Sequence, residues 1–151
     1  MSLIEIGKSV LSSCMDVKAG ESVLVITDDR KLEIGNALYR AAKELGAEAL
    51  LLTMEPRKVS GEEPPAVVAA AMLAADVILC PMSTSITHTR AKIEAVKAGA
   101  RIATMPGISE DMFSKGAMTA DYGVVMDLTL RVTELLSKAS TARIEKEGHV
   151  L

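Results

Sequence analysis

Residues 76–98 read Asp76-Val77-Ile78-Leu79-Cys80-Pro81-Met82-Ser83-Thr84-Ser85-Ile86-Thr87-His88-Thr89-Arg90-Ala91-Lys92-Ile93-Glu94-Ala95-Val96-Lys97-Ala98. After Asp76, the short apolar run Val77–Cys80 has the pattern of a strand covered on both faces. From Ala91 onward the apolar residues recur at helical spacing, and Gly99 stops the helix. Between strand and helix lies a loop dense in hydroxyl, imidazole and guanidinium groups. In an open α/β sheet such a loop sits at the carboxyl end of a strand, where ligands collect. Ser and Thr also cap the helix that follows, so the loop has two readings, ligand contact and helix capping.

The same unit repeats on both sides. Upstream, Leu3 to Val17 has helical spacing, and Ser22–Thr27 is a continuous apolar strand. Asp28 or Asp29 caps a helix over 31–45 that Gly46 closes, and Ala49–Met54 is a second strand. A polar loop with Pro56, Gly61, Pro64 and Pro65 leads into the Ala-rich helix 66–73. Downstream, Arg101–Met105 is a fourth strand broken by Pro106-Gly107, Ser109–Met112 starts a short capped helix, and 122–137 forms a longer helix. Residues 141–151 alternate weakly, as a strand whose partner lies elsewhere. Strands alternating with helices predict a three-layer α/β domain over residues 1–140, with 141–151 as a tail. Right-handed crossovers wound both ways from the first strand predict a doubly wound, mostly parallel four-stranded sheet in the order 2-1-3-4. The switch point then lies between the first and third strands. There Thr27, Asp28 and Asp29 would face Ser83, Thr84 and Ser85.

Composition narrows the function. Aromatic residues are only 2% of the chain, too few for base-stacking recognition of nucleic acid, and a net charge of −3 argues against binding a phosphate backbone. No apolar run is long enough to span a bilayer, so no membrane partner is expected. Cys14 and Cys80 form no CxxC pair, and the N-terminus has no basic stretch followed by a long apolar one. A cytoplasmic chain with reduced thiols is the expectation.

The first strand-to-helix turn, Thr27-Asp28-Asp29-Arg30-Lys31, has no glycine and carries two carboxylates, which argues against a dinucleotide or P-loop phosphate site in its usual form. The pair Asp28-Asp29 suits a helix cap, a hard cation or a substrate amine. His88 is the one histidine in a plausible site, because His149 lies in the tail; it suits acid–base work or hydrogen bonding in the first turn of a helix. Arg90 suits an anion or a partner. No His/Cys/Asp/Glu cluster has zinc-ligand spacing, and no nucleophile–base–orienter set can be assembled. The candidate cleft or interface residues are therefore Thr27, Asp28, Asp29, Ser83, Thr84, Ser85, Thr87, His88 and Arg90, with no catalytic residue, metal ligand or cofactor assigned to the chain itself.

Four segments carry a family resemblance: VKAGESVLVITDD (17–29), AAKELGAEALLLTMEPR (41–57), GEEPPAVVAAAMLAADVILCP (61–81) and PMSTSITHTRAKIEAVKAGARIATMPG (81–107). In order and spacing they resemble the N-terminal domain of the thermophilic-type leucyl aminopeptidases, the aminopeptidase S/T group of metallopeptidases, to which 2,5-dihydroxypyridine dioxygenase is related. The most specific parts are Ser85–Ala91 and Met105–Ile108. Family members are longer, and their Glu, His, Tyr and Asp metal ligands lie in a C-terminal domain. The resemblance therefore implies a non-catalytic N-terminal domain of a parent enzyme that removes N-terminal residues from peptides with a divalent metal such as zinc or cobalt. It also implies that the tail from Arg143 begins the second domain and that Thr87-His88-Thr89-Arg90 contributes to a cleft wall or interface. A tail strand without a partner and Met-rich and Ala-rich helix faces left uncovered predict a homodimer or higher homo-oligomer. A ring-cleaving dioxygenase-like metalloenzyme and a free-standing small-ligand-binding or interaction domain are the alternatives.

Overall fold

The computed structural model describes residues 2–150. By internal contacts the chain divides into two units, Met1–Thr119 and Ala120–Leu151. The first unit is built on strands β1 (Ser22–Asp28), β2 (Glu48–Met54), β3 (Val77–Met82) and β4 (Arg101–Pro106). All neighbouring pairs are parallel and the order is β2-β1-β3-β4, the doubly wound arrangement expected from the alternation of strands and helices. The helices are α1 (Leu3–Ser9), α2 (Leu32–Glu44), α3 (Ala66–Leu73), α4 (Arg90–Lys97) and α5 (Glu110–Ser114). The chain leaving α1 winds into a π-helical turn, Val10–Cys14, in place of an uninterrupted α-helix.

Alternation along β1 and β3 divides the core into two apolar layers. Val23, Val25, Val77 and Leu79 pack with Ile6, Leu11, Ile34, Leu38 and Phe113 on one side. Leu24, Ile26, Ile78 and Cys80 pack with Val68, Met72, Ala91 and Ala95 on the other. The central strands are thus buried on both faces, which is why they read as continuous apolar runs. At the amino end of the sheet the Asp76 carboxylate accepts from Ser22 N (2.8 Å) and Ser22 Oγ (2.7 Å). Arg101 pairs with Glu21 at 2.6 Å and donates through Nε to the Met15 carbonyl at 3.0 Å. These bonds set the starts of β1, β3 and β4.

The second unit holds helix α6 (Tyr122–Lys138) and a two-stranded antiparallel ribbon, β5 (Glu145–Lys146) and β6 (His149–Val150). Asp121 caps α6 by accepting from Gly123 N and Val124 N. Val125, Leu128, Val132 and Leu135 lie along one stripe of α6 and all are exposed. The tail pairs with itself, where the alternation alone suggested a partner elsewhere. The reason is Glu147-Gly148, both at positive φ (52° and 82°), which closes a two-residue hairpin. No helix among the described residues is long and apolar enough to cross a membrane.

Candidate functional site

Of the candidate residues, Thr27, Asp28 and Ser83 gather where β1 and β3 end. Asp28 is fully buried at the last position of β1, and its carboxylate accepts three hydrogen bonds. Arg30 N donates at 3.0 Å, so Asp28 and not Asp29 caps the 3-10 turn Asp29–Lys31 that opens α2. Ser83 N donates at 2.5 Å and Ser83 Oγ at 2.9 Å, which joins β1 to the loop that leaves β3. Thr27, also fully buried, donates through Oγ1 to the Pro81 carbonyl at 2.9 Å. Gly35 of α2 faces Thr27 so closely that an added Cβ would stand 2.9 Å from Thr27 Cγ2. The absence of a side chain at Gly35 is what lets α2 start against the crevice. Asp29 is exposed.

Further along the loop, Ser85 Oγ donates to Thr87 Oγ1 at 2.8 Å and accepts from Thr87 N, while Thr87 Oγ1 and Thr104 Oγ1 of β4 share a bond of 2.9 Å. Thr87 therefore turns away from the crevice toward β4. Thr89 caps α4, accepting from Lys92 N and donating through Oγ1 to the Ile86 carbonyl at 2.7 Å. The other amides at the start of α4 are occupied from a distance: Glu63 accepts from Arg90 N at 2.6 Å and from Ala91 N at 3.2 Å. The positive end of this helix is thus met by a carboxylate of the chain's own β2–α3 connection. The same connection reaches the loop again, as Ser60 Oγ accepts from Ser85 N and Gly61 N donates to the Ser85 carbonyl at 2.8 Å. Thr84 Oγ1 is enclosed without a hydrogen-bond partner among the described residues. His88 and Arg90 are exposed.

Asp28, Thr27, Ser83, Ser85 and Thr87 are thus bonded from within the chain, and the loop offers His88 and Arg90 to solvent. An open groove of about 370 Å³ is lined by Glu63, Ala69, Arg90, Ala91 and Glu94. A cavity of about 190 Å³ opens between Arg30, Lys31, Ile34, Ser109 and Glu110. Cys80 is buried beneath the loop, and burial pushes its thiol up to about 12, leaving it inert as a nucleophile. Among the described residues no group of three or more His, Cys, Asp or Glu side chains is placed to hold a metal ion. Ser60, Glu63 and Thr104 belong to this network and were not among the candidates. Their partners are remote in sequence, and no local pattern marks them.

No family model and no curated protein matches the chain. Solved structures do share its fold. One is a 2,5-dihydroxypyridine dioxygenase from Pseudomonas putida, 20% identical, with a TM-score of 0.56 over 69% of this chain and 33% of that one. Another is a fatty acid ABC transporter substrate-binding protein from Thermomonospora curvata, 16% identical, with a TM-score of 0.53 over 90% of this chain and 40% of that one. AmpT from Thermus thermophilus matches at 14% identity and a TM-score of 0.48 over 69% of this chain and 35% of that one. At these identities the likeness concerns the fold alone. The chain spans 40% or less of the length of each of these three proteins. What it has is an α/β architecture, a four-stranded parallel sheet in the order 2-1-3-4, and the fold is matched over part of the length of larger proteins.

Proposed function

We propose that this chain is the N-terminal, non-catalytic domain of a metallo-aminopeptidase that removes N-terminal residues from peptides. In this reading the divalent metal, zinc or cobalt, is held by residues outside the described ones. The domain supplies part of the cleft wall through the loop 83–90. The observation that carries the reading is the division of labour in that loop. Ser83, Ser85 and Thr87 are bonded to the chain itself, while His88 and Arg90, within the segment most similar to the aminopeptidase family, stay exposed for a surface that meets this one. The fold shared with one third of a dioxygenase supports a role as one part of a longer enzyme and favours, as the second reading, a related ring-cleaving metalloenzyme. Exposed apolar side chains on α3 (Val67, Leu73), α4 (Ile93, Val96) and α6 support self-association as a homodimer or higher oligomer.

The test is the natural gene product, purified from the cells that make it. Its mass is measured by mass spectrometry and light scattering, and it is assayed with leucyl peptides and with dihydroxypyridine under added zinc, cobalt or iron(II). The expected product is longer than this chain, oligomeric, and releases N-terminal residues in a metal-dependent way. Ring cleavage without peptide hydrolysis would replace the first reading by the second. A monomer ending at Leu151 and inert toward both substrates would overturn both in favour of a free-standing ligand-binding or interaction domain.

A further inference from the structure

The loop leaving β3 is tied at alternate residues to three separate elements. Ser83 is held by Asp28 at the end of β1, Ser85 by Ser60 of the β2–α3 connection, and Thr87 by Thr104 of β4. We propose that Asp28 is the positioning residue for this loop, a buried carboxylate latch that sets the conformation in which His88 and Arg90 are presented. Capping the turn before α2 takes only the bond from Arg30 N. The other two bonds cross to Ser83, 55 residues further along the chain.

The chemistry of the three donors requires a carboxylate. Oδ2 faces one backbone N–H, from Ser83, and Oδ1 faces another, from Arg30, together with the Ser83 hydroxyl. An asparagine in either amide orientation would put its NH2 against one of those N–H groups, leaving two donors facing each other in a fully buried place. Asp29, next along the chain and exposed, makes none of these bonds. The latch concerns loop conformation only, so it holds for whichever reaction the loop serves and fails or stands separately from the aminopeptidase reading.

The experiment uses the whole 151-residue chain and compares Asp28→Asn, Ser83→Ala and Asp29→Asn by amide hydrogen exchange and by NMR of the His88 ring. In Asp28→Asn the amides of Ser83, Ser85 and Thr87 should exchange on the order of tenfold faster or more, with exchange in the centre of β1 unchanged. The His88 ring resonances should move, which a general loss of stability would not cause in the folded state. Ser83→Ala should show a smaller change at Ser85 and Thr87, and Asp29→Asn none. Wild-type exchange and His88 resonances in Asp28→Asn, or equal effects in Asp29→Asn, would overturn the proposal. Should Asp28→Asn fail to fold, wild-type exchange at Ser85 and Thr87 in Ser83→Ala would overturn it.

Discussion

Cys80 and Cys14 show how far one residue's surroundings decide its chemistry. Cys80 lies at the heart of β3, and burial pushes its thiol up to about 12, whereas Cys14 is exposed. At pH 8 a thiol reagent should therefore modify one equivalent in the folded protein, at Cys14, and the second only after denaturant is added. Rapid modification of both thiols in the native state, followed by peptide mapping, would contradict that burial. The sequence pattern ends the strand at Cys80, whereas β3 runs on to Met82 and leaves Cys80 inside it, between the layers packed above and below the strand. Asp28 is a similar case. The dipeptide Asp28-Asp29 announced a cap, yet only the fold decides which carboxylate turns inward, because Ser83 arrives from β3. Glu63 left no trace in the sequence at all, since its bonds run to amides 27 and 28 residues away.

Among the elements, β1 and β3 were legible because strands buried on both faces must be apolar throughout, and β1 and β3 are almost wholly buried. The edge strands β2 and β4 were legible from spacing and from their flanking glycines. The tail was read less well, because a two-residue hairpin leaves almost no periodicity to detect. Residues that join elements end to end carry pH dependence. Ser22 donates a backbone and a side-chain hydrogen bond to Asp76, and Arg101 donates to Glu21, which holds both carboxyls below the usual carboxylate range. With folded-state values lowered, their stabilisation is present above the ordinary range of about 3.9–4.3 and is lost as pH falls through the lowered values. Asp76→Asn should therefore unfold at lower urea than wild type at pH 7, and the two midpoints should converge in acid. A constant gap from pH 7 down to pH 2 would show that Asp76 stabilises the junction by shape and not by charge.

For the whole molecule, the four-stranded order 2-1-3-4 follows from the rules of handedness once the βα alternation is recognised, and the structure has it. The site was legible only in part. Its address at the carboxyl ends of β1 and β3 follows from topology, but its occupation by the chain's own hydrogen bonds depends on contacts between distant segments. The proposed function gives the domain a supporting place beside a metal centre formed elsewhere, and the bonds that tie Asp28 to Ser83 and Glu63 to the start of α4 support that reading. Calorimetric titration of the 151-residue chain with zinc, cobalt and iron(II) tests this most directly. The expected result is weak, non-stoichiometric heat for each ion, and a saturable one-to-one isotherm with submicromolar affinity would contradict it.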